Sequence, residues 1–127
     1  MKFFDSNFWI AYFDRNDSQH NKAVELFKKE SVFSVTEYCV LETASILSLK
    51  RGKQTAADFL AHIEDNADVT VVLSSPAFFD ETIKLFQDIR TRKLSFVDVS
   101  LLLISESHDV ITFDKALAKI ISAQKKK

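Results

Sequence analysis

Residues 94–114 read L-S-F-V-D-V-S-L-L-L-I-S-E-S-H-D-V-I-T-F-D. Between Phe96 and Ile104 only Asp98 and Ser100 are polar, so a helix here is apolar on nearly every face and belongs inside a fold. A short β-branched run, Val110 to Thr112, follows as a strand and delivers Asp114 at its end, where that residue can cap a last helix from Lys115 to about Ser122. A buried, ionised carboxylate without a partner costs several kcal/mol, so Asp98 needs a cation, a proton or a donor nearby. This raises the question of which other acids converge on it.

Outward from that stretch, the chain alternates strand and helix. Lys2 to Asp5 reads as a strand and Ser6 to Phe13 as a helix, with Asp5 at the junction. Asp17 or Ser18 can cap a second helix with Ala23, Val24, Leu26 and Phe27 on its apolar side; His20, in its first turn, reads as a solvated surface histidine. Ser31 to Val35 is a second strand, and Thr36 caps a helix from Glu37 to Leu49. Gly52 separates it from another, Thr55 to Asp65. Val69 to Leu73 is a third strand. Ser75 and Pro76 are an N-cap and first-turn pair opening a helix to about Arg92.

Strands joined by connections too long for hairpins call for a mostly parallel sheet covered on both faces, hence an α/β chain. In such sheets ligands sit beyond the carboxyl ends of the strands, where Asp5 and Asp114 fall. No repeat or linker divides residues 1–127, which read as a single domain.

Composition bounds the partners. A formal charge of −1 excludes blanket cationic attraction to nucleic acid, so an anionic ligand must be held by a local patch or a metal. The one cysteine, Cys39, cannot form an internal disulfide; with no leader pattern and no apolar run long enough to span a bilayer, a reducing cytoplasm and no membrane are expected.

Each acid at these positions has an ordinary structural role to weigh. Asp5 and Asp114 stand where N-cap aspartates stand, and Ser95 with Asp98 fits a capping box. Glu42 does not fit such a role, since it lies mid-helix among Tyr38, Ile46 and Leu49. Together, Asp5, Glu42, Asp98 and Asp114 have the chemistry of an oxygen-rich site for magnesium or manganese. Basic residues flank them: Lys50, Arg51 and Lys53; Arg90, Arg92 and Lys93; Lys115 and Lys119. These suit a phosphodiester substrate, and equally suit solvated helix ends. Competing chemistries are weak. Asp5-Ser6-Asn7 lacks the second aspartate of a phosphoaspartyl site, His20, His62 and His108 lack zinc-ligand spacing, and Cys39 reads as a small core residue.

The D-S-N at Asp5 to Asn7, V-L-E at Val40 to Glu42, L-S-F-V-D ending at Asp98 and T-F-D-K-A-L from Thr112 resemble, in order and approximate spacing, the PIN-domain ribonucleases and among them the small VapC-type toxins of toxin-antitoxin pairs. The likeness spans essentially the whole chain; D-S-N alone is a weak motif, whereas L-S-F-x-D followed by T-F-D-K is a strong one. It implies a three-layer α/β/α sandwich with a mostly parallel four- to five-stranded sheet. It also implies metal-dependent endoribonuclease activity using Mg2+ or Mn2+. Asp5, Glu42, Asp98 and Asp114 would be the catalytic and metal-binding quartet, with Ser6, Asn7 and Thr112 in support and RNA as substrate. A homodimer and a cognate antitoxin complete what it implies. Ala116 departs from the polar or acidic residue many relatives carry there, which leaves a fifth ligand in question. A housekeeping RNA-processing nuclease and a catalytically silent metal- or RNA-binding module stand as alternatives.

Overall fold

The computed structural model describes residues 1–90 and 93–126. Arg92, a candidate RNA contact, lies outside them. Four strands, β1 (Lys2–Phe4), β2 (Phe33–Thr36), β3 (Val69–Val72) and β4 (Asp109–Ile111), form one sheet in the order β3-β2-β1-β4. Every pairing is parallel, with Phe3 opposite Ser34, Phe4 opposite Ile111 and Val35 opposite Val71. The expected mostly parallel sheet is thus wholly parallel and four-stranded among the described residues.

Among the described residues there are seven helices, α1 (Ser6–Phe13), α2 (His20–Lys29), α3 (Glu37–Arg51), α4 (Lys53–Asp65), α5 (Pro76–Asp88), α6 (Phe96–Ile104) and α7 (Lys115–Lys125). Strand alternation assigns them to layers. The rings of Phe4 and Phe33 meet Phe8 and Trp9 of α1 on one face. On the other, Phe3, Thr36 and Val72 share a cleft with Phe78 of α5 and Leu103 and Ile104 of α6. This is a three-layer α/β/α arrangement. Its core holds Phe4, Phe8, Trp9, Phe33, Val35, Leu47, Phe59, Leu101 and Leu117 at 2% exposure or less, which accounts for the density of aromatic residues at the start of the chain. No helix among the described residues is long and apolar enough to cross a membrane.

Local chemistry explains the boundaries. Gly52, at φ 96°, ends α3 and begins α4, so two helices follow one another with no linker because glycine alone tolerates that backbone. Three expectations are corrected. Neither Asp17 nor Ser18 caps α2: Gln19 stands at its start without a side-chain cap, and the Asp17 carboxylate instead accepts from the Gln19 N–H at 2.8 Å, closing its own turn. Helix α5 stops at Asp88, well short of Arg92, because the β-branched Ile89 adopts an extended backbone at φ −75°, ψ 125°. His20 is also not a free surface residue, since its Nδ1 is 2.7 Å from the Ala11 carbonyl and ties α2 back to α1.

Candidate active site at the carboxyl end of the sheet

Where β1 ends, the chain turns directly into α1, and the residue at the turn is Asp5, only 3% exposed. As the N-cap, its Oδ1 accepts the Ser6 N–H at 2.7 Å, with the Ser6 hydroxyl 3.2 Å away. Its Oδ2 accepts the Thr112 hydroxyl at 2.7 Å. Thr112 follows β4, the strand paired with β1, so the parallel register itself brings the two residues together. The Thr112 oxygen also accepts from Asn7 Nδ2 at 3.1 Å and from the Asp114 N–H at 3.0 Å, so its hydrogen-bonding capacity is full. Asn7 Oδ1 in turn accepts the Phe113 N–H at 3.1 Å. Ser6 therefore touches the first acid directly, and Asn7 reaches it through Thr112.

Glu42 projects from α3, half-buried, and its Oε1 accepts the Ser6 hydroxyl. With one proton between two carboxylates, Ser6 links Asp5 to Glu42. Asp98 realises the capping box of α6: the Ser95 N–H donates to its Oδ2 at 3.0 Å, and its own N–H donates to Ser95 Oγ at 3.1 Å. Asp114 caps α7, its Oδ1 accepting from the N–H groups of Ala116 at 2.9 Å and Leu117 at 3.1 Å. Three of the four acids thus serve helix starts, and Asp5 and Asp114 do so where a strand gives way to a helix, at the carboxyl edge of the sheet.

The charges sense one another. Burial pushes the Asp5 carboxyl up to about 6; the Thr112 and Ser6 donors resist that shift, and the negative charge of Asp98 adds to it. Burial also raises Asp98, against its bonds from Ser95, and Asp114 raises it further. The Cys39 thiol lies 3.9 Å from Asp5 Oδ1 and is pushed up to about 12 by burial and then by the Asp5 charge, so it is inert as a nucleophile. The ion pairs Lys2–Glu30, Glu25–Lys28, Asp14–Arg51 and Asp109–Lys125 involve none of the four acids.

The candidate basic residues scatter. Lys50 lines a cavity with Asn7 and Phe113, beside the Asp5 network. Lys115 is exposed directly after Asp114, and Arg90 and Lys93 are exposed within the α5–α6 connection. Arg51 serves the fold instead, because its Nε donates to the buried Asp14 at 2.8 Å and pins the end of α3 to the loop after α1. Sequence reading passed over Lys22, whose ammonium stands 5.0 Å from the centre of the Phe113 ring. Nothing local links an α2 lysine to the residue before Asp114, so only the assembled fold reveals the pair.

The PIN domain family model matches residues 2–121. No match to a curated protein was found. Among solved structures, the fold is similar to the Mycobacterium tuberculosis toxin VapC20, described as cleaving the sarcin-ricin loop, with a TM-score of 0.85 at 20% identity over 94% of this chain and 95% of that one.

Proposed function

The chain belongs to the PIN domain family, and from that premise we propose that it is a metal-dependent endoribonuclease, the toxin of a toxin-antitoxin pair. The observation that carries the reading is Asp5: a nearly inaccessible carboxylate, gripped by Thr112 and Ser6, electrostatically coupled to Asp98 and joined through Ser6 to Glu42. Burying a carboxylate is costly, and capping α1 uses only one of its oxygens, so the placement of Asp5 supports a functional role beside the cap.

The donor set fits a hard divalent cation. All four candidates are carboxylates; Asp5 accepts hydrogen bonds on both oxygens, whereas those of Asp98, Asp114 and Glu42 fall on Oδ2, Oδ1 and Oε1, leaving one oxygen on each of these three for another role among the described residues. Among those residues, no group of three or more His, Cys, Asp or Glu side chains stands close enough to hold a metal ion. Asp98 and Asp114 each accept N–H groups at the start of their own helices. Asp5, Glu42, Asp98 and Asp114 are the residues that would hold Mg2+ or Mn2+, which when bound would supply polarisation of a phosphoryl oxygen and a water of lowered pKa.

The chain's own residues do the rest. Thr112 holds Asp5 ionisable and oriented, Asn7 holds Thr112, and the Ser6 hydroxyl keeps Glu42 turned toward Asp5. No side chain is needed as a nucleophile, which agrees with the high pKa of Cys39. The partners of this reading are an RNA substrate, a cognate antitoxin that masks the acidic edge, and a second copy of the chain in a homodimer. Exposed Leu41 and Leu49 of α3 and Phe79 and Phe86 of α5 supply the apolar surface that a homodimer needs. The reduced, buried Cys39 agrees with a cytoplasmic setting.

The test is cleavage of a panel of structured and single-stranded RNAs in magnesium, repeated in chelator. Cleavage in magnesium that chelator abolishes is the expected result. Cleavage unaffected by chelator, or none by the purified, antitoxin-free protein on any RNA, removes the assignment.

A further inference from the structure

Four carboxylates have no means of gripping a polyanion, so a nuclease built on them needs a separate foothold for the strand. A cavity of about 340 Å³ beside the Asp5 network has the required composition. Ile10, Ile46 and Phe113 make an apolar wall, Asn7 and Gln19 bring side-chain amides, and Lys50 brings a cation. Lys22, outside the lining, stands next to it, its ammonium 5.0 Å from the Phe113 ring centre. Asp17 also lines the cavity, with Oδ1 already accepting the Gln19 N–H at 2.8 Å. The cavity is mechanically continuous with the acids. The Phe113 N–H donates to Asn7 Oδ1, Asn7 Nδ2 to Thr112 Oγ1, and Thr112 to Asp5 Oδ2, at 3.1, 3.1 and 2.7 Å.

We propose that this cavity, lined by Asn7, Phe113 and Lys50 and neighboured by Lys22 on the Phe113 ring, seats a single-stranded nucleotide adjoining the scissile phosphate, with its base against Phe113 and its phosphate within reach of the two lysines. The inference rests on the nuclease reading and adds to it a binding subsite made by α1, α2, α3 and the β4–α7 turn. An aromatic wall, amides and paired cations together are what an unstacked nucleotide uses, and a ring accepts any base. Lys22 above the ring exchanges its contact with the aromatic face for one with phosphate when a base arrives. Because Asn7 and Phe113 belong to the same hydrogen-bonded chain as Asp5, a nucleotide seated here fixes the register of the strand over the acids.

The experiment measures binding of a fluorescein-labelled single-stranded RNA 12-mer by anisotropy in chelator, across a salt series. The proteins are wild type, Lys22→Gln, Lys50→Gln, Phe113→Leu and, as a control, Arg15→Gln, an exposed cation lining a different cavity. Cleavage kinetics in magnesium and melting temperatures accompany each. Each lysine variant should weaken binding and reduce the salt slope by about 0.7. Phe113→Leu should weaken binding roughly five-fold or more with the slope unchanged. All three should raise KM, and because the seat also sets the register of the strand they should lower kcat, while Arg15→Gln behaves as wild type. Leucine keeps the apolar wall against Phe8, so an unchanged melting temperature separates lost binding from lost folding. Wild type that binds and cleaves RNA while the three variants match it overturns the subsite alone. Wild type that neither binds nor cleaves overturns the nuclease reading as well.

Discussion

The Thr112 hydroxyl donates to Asp5 Oδ2 at 2.7 Å, and this bond joins the ends of β1 and β4, residues at opposite ends of the chain. Sheet register and site assembly are therefore one event: the strands cannot pair in register without bringing the hydroxyl to the acid. Removing it by Thr112→Val takes a donor from Asp5 and an acceptor from both Asn7 Nδ2 and the Asp114 N–H. The expected cost is about 1–3 kcal/mol of stability, together with a further rise in the Asp5 pKa and a large fall in RNA cleavage. Denaturant unfolding and cleavage rates check this. Thr112→Ser, which keeps the hydroxyl, should recover most of both.

Acidification should stabilise the metal-free protein over a defined window. The Asp5 carboxyl titrates near 6 in the folded chain against an ordinary value of 3.8, so folding takes up a proton between those pH values. The stabilisation is complete below about pH 4 and is lost as pH rises through about 6, amounting to at most about 3 kcal/mol by pH 7. Asp98 shifts in the same direction. Asp14, whose carboxyl is held low by the Asn16 N–H and the Arg51 guanidinium in spite of burial, works the opposite way and only at more acidic pH. Melting temperatures in chelator from pH 4.5 to 7.5 should fall with rising pH, and Asp5→Asn should flatten the trend. A flat wild-type profile contradicts the buried acid.

Arg51 offers a contrast with its neighbour Lys50. Replacing Arg51 by Ala leaves the buried Asp14 with only the Asn16 N–H, at 3.0 Å, among its donors, and should cost about 1–2 kcal/mol. RNA salt dependence should not change, because the guanidinium is committed to the fold. A reduced salt slope for Arg51→Ala would return it to the RNA-binding set.

How far the sequence carried the reading depends on the kind of contact. Strand, helix and cap signals are local, so the Ser95–Asp98 box, the Ser75–Pro76 start and the Gly52 break could be read from residues a few positions apart. That Asp5 and Asp114 lie at strand ends followed from recognising parallel strands, whereas the support of Thr112 came only with the resemblance to the PIN-domain ribonucleases. Long-range pairs with no local signature were not legible. The Asp14–Arg51 bond and the Lys22–Phe113 contact depend on how α1 to α4 pack, which periodicity does not encode. The end of α5 was misplaced because its apolar spacing continues through Ile89 after the backbone has already left the helix.

Asp98→Asn separates the capping role of this residue from its proposed role in holding a cation. An asparagine carbonyl can still accept the Ser95 N–H, so if Asp98 serves only as a cap, the change is near neutral and indifferent to metal. As part of an acidic cluster, Asp98 raises Asp5 and is itself raised by Asp114, so neutralising it relieves repulsion on both sides. The variant should then be more stable than wild type in chelator by about 0.5–2 kcal/mol, the usual scale when a strained functional site is relaxed. It should lose RNA cleavage while keeping its fold. Added magnesium should raise the melting temperature of wild type by more than that of the variant, because ligand stabilisation follows affinity for the folded state. Melting curves of both proteins, in chelator and in excess magnesium, supply the four measurements needed. Equal melting in chelator and equal responses to magnesium would leave Asp98 as a helix cap and nothing more.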